Sequence, residues 1–219
     1  MPNKVLTNKN LVDVEMTQEG VKVTCADGSV CEGSIVMGAD GVHSKTRQLM
    51  CPLALREDLT RSWDAEQPYT ATYQLLFGSS RRRRPPAAAT TSKNTRYTDK
   101  DVQSVTQEFF EFPLTQTTKV KDVWSLMRGA GLTNLDEGIV QHWSLGRVVL
   151  VGDACHKMTT HLGLSFNNGV QNVVVLCNKL RKVVDATPKR LLNAHALTDV
   201  FETYQAMRMS SSCSLKGDV

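Results

Sequence analysis

The 219-residue sequence contains no long run of apolar residues. Its longest apolar stretches, such as VVVL at 173–176, are far shorter than the roughly 20 residues that a helix needs to cross a bilayer. The first ten residues, MPNKVLTNKN, lack the apolar core of a secretory signal peptide. With 41% hydrophobic and 22% charged residues, the composition is typical of a soluble globular protein. We therefore expect an intracellular protein, cytoplasmic or loosely associated with a membrane.

The sequence also lacks the usual cysteine and histidine patterns of metal sites. Six cysteines are present, but none forms a Cys-x-x-Cys pair, and no histidines cluster at metal-ligand spacing. We expect no bound metal ion. Cys25 and Cys31 flank a predicted turn and could face each other, but free thiols in a reducing compartment are the favoured interpretation.

The sequence has little excess of either charge, and one basic run stands out. The net charge is +4, and much of it lies in RRRR at 81–84. A single basic run beside prolines is more typical of a solvated loop than of a nucleic-acid site, and no DNA- or RNA-binding module accompanies it. We expect no nucleic-acid partner. Residues 79–95 lack periodicity and include Pro85-Pro86, which predicts an irregular, exposed segment.

The pattern of apolar residues predicts a mixed α/β chain. The segment ADGS at 26–29, between two alternating stretches, predicts a β-hairpin with a tight turn. IVMG at 35–38 predicts a short buried strand, and Ser44 is a candidate cap for the helix that follows. Further predicted elements are a strand at 68–78, a helix at 97–112 capped by Thr98 or Asp99, strands at 138–146 and 147–153, and a helix at 164–184.

The segment GADGVHSKTR, residues 38–47, is the first candidate site. Its glycines allow the backbone to turn sharply after the predicted strand. Asp40 and Arg47 can fix the loop by a charge-assisted hydrogen bond. The alternative is a strand-to-helix turn with an Asx-type bond and no ligand, and the residues alone favour neither interpretation.

The segment RVVLVGDACHKMTTHLG, residues 147–163, is the second candidate site. Asp153 follows a predicted buried strand at its carboxyl end, where open α/β sheets bind ligands, and it could accept hydrogen bonds from sugar or polyol hydroxyls. The N–H groups from Gly163 to Phe166, at the start of the next predicted helix, suit an anionic group. The alternative makes Asp153 a helix or turn cap. His43, His156 and His161, each taken singly, are more typical of hydrogen-bonding loop residues than of catalysts or ligands.

Together the two segments resemble a known family. GADGVHSKTR resembles the Asp-Gly motif of flavin-dependent monooxygenases of the para-hydroxybenzoate hydroxylase type. RVVLVGDACHKMTTHLG resembles the Gly-Asp motif of the same family, and the order along the chain agrees. GDACHKMT with the upstream LDEGIVQHW is similar to fungal enzymes that epoxidise prenylated intermediates of meroterpenoids and indole diterpenes. The resemblance covers residues 3–78 and 96–184.

The resemblance implies an α/β fold, namely a Rossmann-like FAD domain without its first βαβ unit and part of an α+β substrate domain. In the family the Gly-x-Gly-x-x-Gly loop lies in that first unit, and this sequence contains no such loop. The implied organisation places FAD-domain segments at 1–55 and 121–186. A partial substrate domain at 56–120 and a C-terminal tail at 187–219, frayed from Ser210, complete it.

The resemblance also implies a reaction. Family members reduce FAD with NADPH and use dioxygen to insert one oxygen atom into a substrate, here a small hydrophobic prenylated metabolite. Asp153 would hold the ribityl chain, and Asp40 with Arg47 would support the flavin and dinucleotide side. The helix start after Gly163 would stabilise negative charge on the reduced flavin. Tyr73 matches a position where the fungal enzymes carry a hydrogen-bonding tyrosine, and the alternative is an ordinary strand aromatic.

The second motif departs from the family pattern. Thr160 replaces a proline, GLSFN at 163–167 replaces a glycine-rich turn, and Gln171-Asn172 replace a Glu-Asp pair. Phe166 stands where the family has a small residue, so we expect it to crowd the isoalloxazine edge. Three hypotheses follow: a monooxygenase, active together with another chain; an inactive remnant; or a flavin-independent terpenoid-binding module. We expect the chain alone not to retain stoichiometric FAD.

Overall fold

The computed structural model describes residues 5–17, 19–58, 60, 62–79, 87–90, 97–158, 163–186 and 192–213. The strands are β1 Leu11–Met16, β2 Val21–Cys25, β3 Val30–Gly33, β4 Val36–Gly38, β5 Thr70–Ser79, β6 Ala87–Thr90, β7 Arg128–Ile139, β8 Ser144–Leu145, β9 Val148–Leu150 and β10 His156–Lys157. The helices are α1 Lys45–Glu57, α2 Asp99–Glu108, α3 Val120–Trp124, α4 Ser165–Ala186 and α5 Ala194–Cys213. None of the helices described is long and apolar enough to cross a membrane.

The chain divides into two compact units. The first comprises Met1–Pro68 and Gly138–Val219, and the second comprises Tyr69–Glu137. Both candidate motifs, residues 38–47 and 147–163, fall in the first unit, whereas Tyr73 falls in the second.

In the first unit, the predicted hairpin is confirmed. Strands β1, β2 and β3 form an antiparallel sheet in that order. The turn between β2 and β3 places Gly28 at φ +79°, a backbone conformation that favours glycine. The amide of Cys25 donates to the carbonyl of Ser29 at 2.9 Å and closes the turn. Cys25 and Cys31 are free thiols, which agrees with the interpretation favoured from the sequence.

A second sheet in the same unit brings the two candidate motifs side by side. Strand β4 pairs in parallel with β9, so that Gly38 lies opposite Leu150, and β8 pairs antiparallel with β9. A Cβ atom at Gly38 would lie 2.8 Å from side-chain atoms of both Leu150 and Thr46, so only glycine fits this crossing. The segment 38–47 and the Gly-Asp segment therefore pack against each other.

The predicted strand over 138–146 is corrected by the structure. Gly138 and Ile139 end β7 and pair with His156 and Lys157 of β10, and the chain becomes a strand again only at β8. Between them, the backbone amides of Gln141 and His142 donate to the Asp64 carboxylate instead of to a neighbouring strand. The Asp64 carboxylate thus takes the place of a neighbouring strand as hydrogen-bond acceptor. The local sequence pattern could not reveal this, because Asp64 lies far away along the chain.

Helix α5 closes the core of the first unit over β9. Its Leu197, Phe201 and Tyr204 are completely buried, and the Tyr204 hydroxyl donates to the carbonyl of Leu150 at 3.0 Å. The sequence analysis placed these residues in a C-terminal tail that frays from Ser210, but the helix continues to Cys213. The spacing of Leu197, Val200, Phe201 and Tyr204 is that of a helix with one apolar face, a signal that was present in the sequence.

The second unit is an antiparallel sheet covered by helix α2. Strand β5 pairs with β6 on one side and β7 on the other. Thr98, one of the two caps predicted, caps α2, and it does so in a capping box with Asp101; the helix ends at Glu108 rather than at residue 112.

One prediction in this unit was wrong, and one strand was not predicted. Residues 87–90 of the segment expected to be irregular form β6 and pair with Tyr73–Leu76; residues 80–86 and 91–96 lie outside the described residues. Residues 128–137, rich in Gly, Asn and Asp, form most of β7 because pairing with β5 outweighs their low strand propensity.

Candidate functional site

Asp40 organises the turn between β4 and α1. Its Oδ1 accepts a hydrogen bond from Ser44 Oγ at 2.6 Å, and its Oδ2 accepts from the amide and hydroxyl of Thr46 at 2.9 and 3.0 Å. Burial raises the pKa of Asp40, but these hydrogen bonds outweigh it and hold the pKa below its ordinary value. Asp40 is therefore an ionised anchor for its own loop.

Arg47 joins the two motifs. Its guanidinium is buried, and it donates from Nη2 to the carbonyl of Val42 at 2.7 Å and from Nη1 to the carbonyl of Ala154 at 2.8 Å. Ser44 caps α1, as predicted, by accepting from the amide of Arg47 at 3.0 Å. Asp40 and Arg47 both fix the loop by charge-assisted hydrogen bonds, as predicted, but the bonds described here go to hydroxyl, amide and carbonyl groups rather than from one residue to the other.

The Gly-Asp segment leaves the carboxyl end of β9 as a short 3₁₀ turn, Gly152–Ala154. Gly152 has φ +62°, and a Cβ atom there would lie 3.9 Å from the Cα of Gly169, so the loop and α4 approach closely. Asp153 keeps 30% of its side chain exposed and forms an ion pair with Lys157 at 2.7 Å. The predicted position of Asp153 at the end of a buried strand is confirmed.

The start of α4 follows the same loop. Gly163 has φ +61°, and no atom of the structure lies within 4 Å of where its Cβ would be, so among the described residues this position is open. Phe166, in the first turn of α4, is 79% exposed. The open backbone at Gly163 and the helix N-terminus form a surface that favours a group with negative charge.

A buried polar cluster that the sequence analysis missed lies in the same unit. Arg208 of α5 donates from Nε to Asn172 Oδ1 at 3.0 Å and from Nη2 to Asn168 Oδ1 at 2.8 Å. Asn172 Nδ2 lies 2.8 Å from Nε2 of His156, which is completely buried. The i, i+4 spacing of the two asparagines on α4 and an arginine on the apolar face of α5 are the signals that could have found it.

Tyr73 belongs to the second unit. It is half-buried on β5, where it lies opposite Leu135 on one side and Thr90 on the other. Its catalytic role stays a prediction. Among the residues that the structure describes, no three His, Cys, Asp or Glu side chains are grouped so that they could hold a metal ion.

Comparison with known proteins decides the family. Residues 71–206, more than half of the chain, match the model of a family described as FAD binding domain. The chain belongs to this FAD binding domain family. Members of the family use FAD, which agrees with the resemblance found in the two loop motifs.

Curated relatives of this FAD binding domain are fungal FAD-dependent monooxygenases. The monooxygenase ausM of Penicillium brasilianum is 28% identical over 242 residues, which cover 94% of this chain and 51% of that protein. SAT1 of Stachybotrys chartarum is 44% identical over 110 residues, which cover 50% of this chain and 37% of that protein. The chain thus spans about half the length of ausM.

Solved structures confirm the fold. The 2,6-dihydroxypyridine-3-hydroxylase of Arthrobacter nicotinovorans superposes with a TM-score of 0.63 at 14% identity, covering 96% of this chain and 62% of that one. HpxO of Klebsiella pneumoniae, solved with FAD and uric acid, superposes with a TM-score of 0.60 at 19% identity, covering 91% of this chain and 53% of that one. The predicted fold, a partial flavin monooxygenase, is therefore confirmed.

The described residues fit one end of FAD. The partly exposed Asp153 carboxylate, the open position at Gly163 and the N-terminus of α4 can meet a polyol chain and a ring edge that carries negative charge. Asp40 and Arg47 direct their polar atoms into the loops and fit a supporting role better than direct contact. The sequence contains no Gly-x-Gly-x-x-Gly loop for the pyrophosphate.

Proposed function

We propose that this chain forms the Gly-Asp side of the flavin site in an FAD-dependent monooxygenase. The enzyme would use NADPH and dioxygen to hydroxylate or epoxidise a prenylated secondary metabolite, such as a meroterpenoid intermediate. The observation that carries the proposal is the placement of Asp153 at the carboxyl end of β9, with the Asp-Gly loop tied to the same turn through Arg47 and Ala154. The fungal monooxygenases among its relatives support the reaction class.

The residues of the chain would perform separate tasks. FAD, when bound, supplies the oxidation chemistry. Asp153 would accept hydrogen bonds from the ribityl hydroxyls, and the amides at the start of α4 would stabilise negative charge on the ring edge. Arg47 and Asp40 would keep the two loops in register. In the second unit, Tyr73 would donate a hydrogen bond to the substrate.

A second candidate function is that of a catalytically inactive relative of such an enzyme. It is favoured by Phe166, whose exposed ring stands at the start of the helix that would face the flavin. Two or three polar contacts at about 1 kcal/mol each give millimolar binding or weaker, once the cost of association is included. On this account the chain alone holds no stoichiometric FAD.

The flavin content of the purified chain separates the two candidates. Residues 1–219 are expressed, free flavin is removed, and absorbance at the flavin band is compared with an independent protein assay. We expect a colourless protein that gains FAD when the glycine-rich strand–helix segment of a fungal relative is supplied. About one flavin in each unsupplemented chain would show that this chain holds FAD without the added segment. A chain that stays colourless with the added segment would contradict the proposed flavin site.

A further inference from the structure

The cluster of Arg208, Asn168, Asn172 and His156 contains a buried positive charge. Arg208 is 5% exposed, and both of its hydrogen bonds go to neutral side-chain amides. Within the described ranges, no carboxylate of an aspartate or glutamate lies at ion-pair distance from this guanidinium. A buried cation held by amides alone is uncommon, because the desolvation of the charge is offset only by hydrogen bonds.

The guanidinium determines which way the Asn172 amide faces. Arginine carries donors and no acceptor, so the atom of Asn172 that meets Arg208 Nε at 3.0 Å must be the carbonyl oxygen. The amide nitrogen of Asn172 therefore faces His156 Nε2 at 2.8 Å. Because that nitrogen is itself a donor, His156 Nε2 must accept, and the ring proton must lie on Nδ1.

We propose that Arg208 is a positioning residue that, through Asn172, fixes His156 as the neutral Nδ1–H tautomer next to the Gly-Asp loop. The Nδ1–H is a buried donor, and no acceptor among the described residues meets it. His156 lies in β10, directly after the turn that carries Asp153, so the tautomer decides where this loop presents a proton. The inference needs no bound FAD, and it can fail without the proposed function failing.

The amide of Asn172 gives the proposal its chemical meaning. An aspartate at 172 would offer oxygen to both neighbours, form an ion pair with Arg208 and require a proton on Nε2 of His156. Exchanging the amide for a carboxylate at this position would thus move the ring proton from Nδ1 to Nε2.

Other groups around His156 favour a neutral ring. Burial lowers the pKa of His156, the contact with Asn172 and the Asp153 charge offset this only in part, and the Arg208 charge acts in the same direction as burial. Lys157 follows His156 directly and pairs with Asp153. Cys155 and Tyr204, which lie beside the cluster, both have pKa values raised by burial and stay neutral. At neutral pH the question is therefore which nitrogen carries the one proton.

Nitrogen-15 NMR of the labelled full-length chain tests the proposal, because the protonated and bare ring nitrogens of histidine have well-separated resonances. The His156 signals are assigned by their loss in His156→Gln, which distinguishes them from the other four of the five histidines. We expect Nδ1 to be the protonated nitrogen at neutral pH. In Asn172→Asp we expect the proton on Nε2 and a ring that titrates at higher pH.

The matched control is Asn168→Asp. It places the same carboxylate beside Arg208, at the Nη2 contact, but leaves the contact between Asn172 and His156 intact. The tautomer should then stay Nδ1–H. The same tautomer change in both aspartate variants would overturn the proposal, because it would trace the effect to charge alone.

Arg208→Met tests the role of the arginine itself. Without the guanidinium, the Asn172 amide is free to turn, and both tautomers of His156 should be populated. A pure Nδ1–H form in Arg208→Met would refute the role given to Arg208. A wild-type ring protonated on Nε2 would overturn the proposal even if no variant folds.

Discussion

Single side chains in the Asp-Gly loop hold the candidate site together from within. Both carboxylate oxygens of Asp40 accept hydrogen bonds, from Ser44 and Thr46. Arg47 donates to carbonyl groups on two separate loops. Such residues control the shape of a binding site without contacting what is bound. Substitutions here should therefore change stability directly.

Replacing Arg47 by methionine should lower the free energy of unfolding by about 2–4 kcal/mol. The variant loses hydrogen bonds from a charged group to Val42 and Ala154 and leaves both carbonyls unpaired. Urea unfolding measures the change. Lys45→Met removes the same charge from an exposed position two residues earlier and should stay within about 0.5 kcal/mol of wild type. Equal losses in the two variants would contradict the assigned contacts.

Asp40 should make stability depend on acid pH. Its pKa is lowered in the folded protein, so the ionised form stabilises the fold above the ordinary carboxyl range, and this stability is lost as the pH falls through the folded value. Between about pH 6 and about pH 3, the free energy of unfolding should therefore fall more steeply for wild type than for Asp40→Asn. The exposed Asp13→Asn serves as the control and should follow the wild-type curve.

At the scale of elements, α4 and α5 differ in how their aromatic residues are used. Phe201 of α5 is completely buried in the first unit, whereas Phe166 in the first turn of α4 is 79% exposed. A buried aromatic ring contributes to the core, and an exposed one contributes little to folding. The element that the sequence analysis took for a tail thus carries part of the core.

Substitution by alanine should lower the stability strongly at one of these two positions and hardly at all at the other. Phe201→Ala should destabilise the protein by about 3–5 kcal/mol, because it removes a fully buried side chain and leaves a cavity. Phe166→Ala should change stability by no more than about 0.5 kcal/mol. Thermal and urea unfolding of the two variants measure the difference. A loss at Phe166 as large as that at Phe201 would show that the ring at 166 is covered.

At the scale of the whole molecule, the chain belongs to a family of FAD-binding domains and spans about half the length of relatives such as ausM. The proposed flavin site in the first unit depends on Asp153, a partly exposed charged group at the carboxyl end of β9. Flavin affinity is therefore the property of the whole molecule that most directly reports on this half of the site.

Asp153→Asn should weaken flavin binding about tenfold in the chain supplemented with the glycine-rich segment, which corresponds to about 1.4 kcal/mol. The reason is the loss of charge-assisted bonds to the ribityl hydroxyls. Asp185→Asn is the matched control, since Asp185 also forms an ion pair with a cation four residues away, Arg181, but on the last turns of α4. Fluorescence titration with FAD measures both. Equal affinities for FAD in the two variants would show that Asp153 does not contact the flavin.

Local chemistry by itself determined several features correctly. The tight Asp-Gly turn at Gly28, the Ser44 cap and the helix over 164–184 all depend on residues within one or two turns of each other. Such features can be read from the sequence because the groups that satisfy one another are neighbours along the chain.

Only the tertiary structure decided the rest, because the deciding partners are far apart in sequence. Arg47 meets Ala154 across 107 residues, and Arg208 meets Asn172 across 36. Strand β7 forms against its own propensities because β5 supplies the other half of its ladder. The sequence shows which charged and polar residues are available for a site. Only the folded chain decides which of them face one another and which atom carries a shared proton, because both depend on distances between residues far apart in sequence.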